Sequence, residues 1–177
     1  MRIVKLSEFY ASIGQITDCF YSFFYLDQTL FSVHRRHRLF SYHNWPRSQS
    51  ENLSQIILTG YTNKDPGKIE SQEVLCDGND PRVVSNGSEA FVLSEGAVHS
   101  GVDFTLTRLP SREQSQVKRG PGVPPGKNWQ PFLRDDRLCV VDSIAPFRTN
   151  HINIVSGEIT RIEEFSLDLD LPAAHDN

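Results

Sequence analysis

An all-β protein made of repeated hairpin units is the fold the sequence predicts, and three stretches predict it. Residues 126–132 gather Lys127, Asn128, the indole of Trp129 and Pro131 just before a short apolar strand, a turn at Asp135-Asp136 and a second strand through Leu138. Polar side chains collected ahead of two apolar runs and a turn read as a loop feeding a β-hairpin. The same plan lies upstream, where Asn79-Asp80-Pro81-Arg82 leads into Val83-Val84, a turn at Asn86-Gly87 and a second run at 90–93. The third stretch is 23–35, in which Asp27 and Leu30 match Asp135 and Leu138 at one common offset. Pro81 and Pro131 stand about 50 residues apart, a spacing typical of one propeller blade.

Taken in order, residues 1–18 fit either a helical stripe through Ile3, Leu6, Tyr10 and Ile13 or an extended arm, and form an N-terminal arm. The β domain covers 19–167. Its first hairpin is the aromatic stretch 19–34, interrupted at Leu26-Asp27-Gln28. It ends in His34-Arg35-Arg36-His37-Arg38, the most basic cluster of the chain. That cluster reads as an oxyanion clamp, since guanidinium groups bind phosphate and carboxylate through forked hydrogen bonds, or as a solvated strand end. His34 and His37 make a poor metal pair, because an odd separation places them on opposite faces of a strand.

Residues 41–54 read as a loop, 55–61 as a strand, 63–67 as a turn and 68–75 as the return strand. After the Asn86-Gly87 hairpin, Phe104–Leu109 is a further strand. The stretch 110–125 carries four prolines and reads as a mobile loop running into Lys127, able to cover a site or to be an inert insertion. The Asp135-Asp136 hairpin follows, then a strand at 152–155, a turn at Ser156-Gly157-Glu158 and a last strand, Ile159–Phe165. Residues 168–177 read as a frayed acidic tail.

A chain of 177 residues is long enough for one domain with a sizeable core. Its formal charge of −4 argues against general affinity for nucleic acid, which requires a basic face. Cys19, Cys76 and Cys139 are odd in number and widely spaced, which favours reduced, buried thiols over a disulfide framework or a zinc site. No run has signal-peptide or membrane-span length, so the expectation is a soluble cytoplasmic protein without a membrane partner. No feature calls for a cofactor or a metal.

The two motifs Asn79-Asp80-Pro81-Arg82 and 126–132, the second followed by Ser143-Ile144-Ala145-Pro146-Phe147, resemble the paired signatures of five-bladed β-propeller proteins related to glycoside hydrolases, and above all to the β-mannoside phosphorylases. The resemblance covers residues 19–160. It implies a partial five-bladed β-propeller of three to four blade-like antiparallel sheets, whether a truncated gene product, a fragment or a degenerate relative, because a full ring needs a considerably longer chain. It also implies a carbohydrate-active enzyme-like protein, a hydrolase or phosphorylase acting on a glycosidic bond of an oligosaccharide or glycoside, with water or inorganic phosphate as acceptor.

By that resemblance Asp80 takes the place of the general acid and Arg35 lines a sugar or phosphate subsite. Arg82 and Lys127 match the arginine and lysine of the signatures, and Asn128 and Trp129 complete the substrate-binding set. The chemistry is coherent: an acid protonates the leaving oxygen while cations hold phosphate or sugar hydroxyls. In a propeller, residues at the start of each innermost strand converge on the central channel. Three positions depart from the pattern: Asn79 replaces a glutamate, Gly126 replaces an acid, and 145–147 supply no histidine. They favour the alternative of a non-catalytic carbohydrate-binding or interaction propeller, with Trp129 or Trp45 stacked on a sugar. The residues alone also permit a structural reading, with Asp80 capping a turn and Trp129 packed in the core.

Overall fold

The computed structural model describes residues 16–38, 54–62, 65–96, 104–117, 129–144 and 146–165. Their strands form three four-stranded antiparallel sheets, each made of consecutive strands. Sheet 1 holds β1 (Ile16–Leu26), β2 (Thr29–Arg38), β3 (Ser54–Thr62) and β4 (Asp65–Asp77). Sheet 2 holds β5 (Asn79–Ser85), β6 (Ala90–Glu95), β7 (Phe104–Leu109) and β8 (Gln114–Val117). Sheet 3 holds β9 (Gln130–Arg134), β10 (Arg137–Ile144), β11 (Phe147–Ile152) and β12 (Ile159–Phe165). No helix among the described residues is long and apolar enough to cross a membrane.

The echo between Asp27 and Asp135 has a conformational basis. Each opens a two-residue hairpin loop whose central residues both have positive φ, 46° and 65° at Asp27-Gln28 and 49° and 57° at Asp135-Asp136. That is the I′ geometry, whose twist matches the strands it joins, and aspartate is among the few side chains that adopt it at modest cost.

Several boundaries differ from the sequence reading. β1 begins at Ile16, inside the stretch set apart as an arm, and β4 begins at Asp65, inside the expected turn at 63–67. The expected loop 110–125 contains β8, because its prolines lie at 110 and at 121–125 and leave 114–117 free to pair with β7. The strand expected at 152–155 is instead β11 followed by a turn, in which the Asn153 side chain accepts hydrogen bonds from the Val155 and Ser156 amides at 2.9 and 3.0 Å. β11 was hidden because its residues Thr149, Asn150 and His151 are polar, although all three are buried.

Sheet 2 lies between the other two, and β6 records this in one apolar run. Ala90 and Val92 point into a cluster with Phe24, Val33, Ile56 and Leu58 of sheet 1. Phe91 and Leu93, one residue out of phase, point into a second cluster with Leu138, Val140 and Trp129 beside sheet 3. A strand covered on both faces loses its polar alternation, and each large side chain so buried stabilises by about 1.5–3 kcal/mol. Among the described residues neither cluster joins sheet 1 to sheet 3.

The first strands of the sheets adjoin. β5 packs against β1 and β2 on one side and against β9 on the other. The Ser22 hydroxyl donates to the Pro81 carbonyl at 3.3 Å, and the Ser85 hydroxyl to the Tyr25 carbonyl at 2.7 Å. The Asp27 amide donates to the Gly87 carbonyl at 2.7 Å. Side-chain hydroxyls thus hold β1 and β5 side by side where no ladder joins them.

Candidate functional site

Two β-bulges build the site. In β1 the pairing with β2 slips between Cys19 and Ser22, and Phe20 between them has φ 56°. In β5 the pairing with β6 slips between Asn79 and Arg82, and Asp80 has φ 42°. Non-glycine residues with positive φ cost energy, and bulges re-aim side chains, which is why such features gather at functional sites.

Between these bulges stands Arg35, opposite Cys19 in the sheet 1 ladder. Its Nη1 donates to Asp80 Oδ1 at 3.2 Å across 45 residues of chain, and its Nε donates to Ser54 Oγ at 3.2 Å. The guanidinium carbon lies 5.9 Å from the centroid of the Phe20 ring. The side chains of Arg35 and Asp80 keep 18% and 28% of their surface accessible, so the pair is sheltered yet reachable. Burial pushes the Cys19 thiol up, against the pull of the Arg35 charge, which makes Cys19 a poor nucleophile.

Of the residues singled out in the sequence, Asp80 and Arg35 are therefore brought together. Arg82 follows on β5, half-buried and opposite Leu93. Trp129 is fully buried in the cluster between sheets 2 and 3, its ring stacked on Phe104 with centroids 4.6 Å apart. In that position it packs the core and presents no open face to a sugar. Lys127, Asn128 and Trp45 lie outside the described residues.

On the opposite face of the same strands is a second cluster that the sequence reading did not find. Arg36 donates from Nε and Nη2 to Asp18 Oδ1 and Oδ2, both at 2.8 Å, and from Nη2 to Gln72 Oε1 at 3.1 Å. His34 is buried with Nε2 3.4 Å from Asp18 Oδ2, under the Tyr21 ring at a centroid distance of 4.5 Å. Burial pushes the Asp18 carboxyl up, but the Arg36 fork and the charges of His34 and Arg36 outweigh it and hold it below its ordinary value. Burial pulls His34 down despite Asp18, and raises Tyr21 to about 12. The available signal was symmetry about the Asp27-Gln28 turn, which puts Asp18 within one residue of Arg36, the remaining residue being the bulge.

An adjoining carboxylate and guanidinium can accept from one hydroxyl and donate to its neighbour, the pattern that vicinal diols require. Glu95, opposite Asn79 in the ladder, places a second carboxylate one position from Asp80. No group of three His, Cys, Asp or Glu converges for a metal among the described residues. An open hollow lined by Tyr25, Asp27, Gln28, Gly87 and Ser88 lies at the far end of β5, away from the Arg35–Asp80 pair. Comparison with protein-family models, with curated proteins and with solved structures gives no match.

Proposed function

We propose that this chain is a carbohydrate-directed protein whose sheets are blades of the five-bladed propeller type, and which acts on a glycosidic bond through Asp80. The observation that carries the reading is the Arg35–Asp80 contact at 3.2 Å, which joins the residues assigned to the acid and to the sugar or phosphate subsite. In this scheme Asp80 protonates the leaving oxygen, Lys127 and Arg82 orient sugar hydroxyls or an incoming phosphate, and Arg35 supports them. The test is turnover of β-mannosides and other aryl glycosides with and without phosphate. Asp80→Asn should abolish turnover and leave sugar binding within a few-fold of wild type; an unchanged rate would refute the assignment.

One observation favours a second reading, binding without cleavage. Asp80 is engaged by a cation rather than presented as an acid to a ligand. Under this reading Arg35→Met abolishes sugar binding, and no glycoside is turned over by wild-type protein.

A further inference from the structure

Among the described residues, seven other than glycine have positive φ. Five of them, Asp27, Gln28, Arg112, Asp135 and Asp136, lie between strands, where the chain reverses. The other two, Phe20 and Asp80, lie inside strands, and both stand beside Arg35, whose Nη1 is 3.2 Å from the Asp80 carboxylate and whose guanidinium carbon is 5.9 Å from the centroid of the Phe20 ring. Phe20 is the costlier of the two. Aspartate is tolerated in the left-handed region, whereas a bulky side chain there is an outlier, and a bulge with this conformation prefers glycine. Burial does not offset the strain, since the ring is 51% exposed and belongs to neither apolar cluster. The cation offsets little of it, because a guanidinium about 6 Å from a ring centroid is at the outer limit of attraction. What the conformation achieves is direction. Cys19 pairs with Arg35, so in an unbroken ladder the next residue would point to the opposite face; the slip before Ser22 brings the Phe20 ring round to Arg35.

We infer, resting on the carbohydrate reading of this site, that Phe20 is its stacking platform: the C–H face of a pyranose ring lies on the phenyl ring while its hydroxyls accept from Arg35 and donate to Asp80. Hydroxyls alone bind weakly, since each bond to the protein replaces one to water, so a sugar site gains its net affinity from an apolar surface set beside a few directed polar groups. An aromatic face supplies that surface, its negative charge meeting the polarised C–H bonds of the sugar. Trp129 does not supply it, being fully buried. Phe20 is exposed, stands next to the ion pair, and is held there by the bond from the Ser22 hydroxyl to the Pro81 carbonyl at 3.3 Å, which docks the β1 bulge on the β5 bulge. Strain confined to the two bulges that form one site, and not offset by packing, is the mark of a residue kept for a ligand.

Titration calorimetry on the full chain tests this, with unsubstituted β-linked mannose oligosaccharides as probes because they carry no aryl group that could stack by itself. Phe20→Leu, which keeps apolar bulk without a ring, and Phe20→Gly should each weaken binding by about tenfold or more, and Phe20→Tyr should restore it. Phe20→Gly should also melt no lower than wild type, because it relieves the positive φ; Phe20→Asn relieves it too, and serves should the glycine loosen the strand. A purely structural phenylalanine would show the reverse, a lower melting temperature with affinity kept. Asp80→Asn, titrated alongside, should bind as wild type does. Full affinity in Phe20→Leu and Phe20→Gly, or a Phe20→Tyr variant as weak as Phe20→Leu, would overturn the platform while leaving the carbohydrate reading in place. A wild-type chain that binds none of the sugars would overturn both.

Discussion

The junction of sheets 1 and 2 and the junction of sheets 2 and 3 use the same strands in the same order to different ends. At the first, both opening strands are bulged, Phe20 and Asp80 take positive φ, and a guanidinium and a carboxylate meet beside the apolar cluster. At the second, β9 pairs with β10 without a slip, and Trp129 seals the space as the largest fully buried side chain among the described residues. Regular pairing aims side chains into the core, and a bulge turns one out of phase, so two register slips separate a polar site from a dry core.

The contrast is broken most strongly at the dry side. Trp129→Ala should cost about 3–5 kcal/mol, measured by denaturant unfolding, because the cavity lies between sheets that cannot both collapse into it; a loss below that of any variant at Arg35 would refute the assignment of the core. Gly157→Ala comes next. A Cβ there would meet the Gln116 carbonyl oxygen at 2.2 Å with φ at 72°, so the turn of sheet 3 must leave β8; about 2 kcal/mol is expected, read as a lower melting temperature. At the polar junction Arg35→Met should cost only about 1 kcal/mol, since the pair is partly solvated, while changing ligand response more than either core variant does.

The smallest expected effect is with pH. The Asp18 carboxyl titrates lower in the folded chain than in the unfolded one, so its contribution is complete above its unfolded value of about 3.9 and is lost as pH falls through the folded value. His34 is also lowered, so its contribution begins to fall below its ordinary value of 6.5. Melting temperature should therefore decline on acidification from pH 7 in two stages, with Asp18→Asn flattening the lower one. A flat profile from pH 7 to about pH 4 would contradict the assignment of His34, and an acid limb unchanged by Asp18→Asn that of Asp18.

The hairpins were legible because turn chemistry is local. Asp27-Gln28, Asn86-Gly87 and Asp135-Asp136 declare their turns within a few residues, and the apolar run at 90–93 declares a strand covered on both faces. β11 was not legible, since Thr149, Asn150 and His151 are buried by neighbours that only the tertiary fold supplies. The Arg35–Asp80 pair was legible as two separate candidates, but not as a contact, because it depends on two bulges. Asp18 with Arg36 escaped because its pairing lies beyond the β1 bulge and because adjacent arginines in one basic cluster are divided by the pleat between opposite faces. Trp129 was ambiguous because an indole beside polar residues fits a sugar platform and a core equally well until its facing is known.

Placing sheet 2 in the middle also sets how the molecule comes apart. Each sheet is made of neighbours in sequence, and among the described residues the apolar clusters join each outer sheet to the central one, so these residues are close to a one-dimensional array in which the outer units open first. Amide protons of β6 and β7 are then the last to exchange with solvent, and those of β4 and β12, at the rims of the two outer sheets, the first. The polar site spans that order, since Asp80 stands on the central sheet while Arg35, Ser54 and Phe20 stand on sheet 1, so opening of sheet 1 takes the site apart before the core between sheets 2 and 3 is exposed.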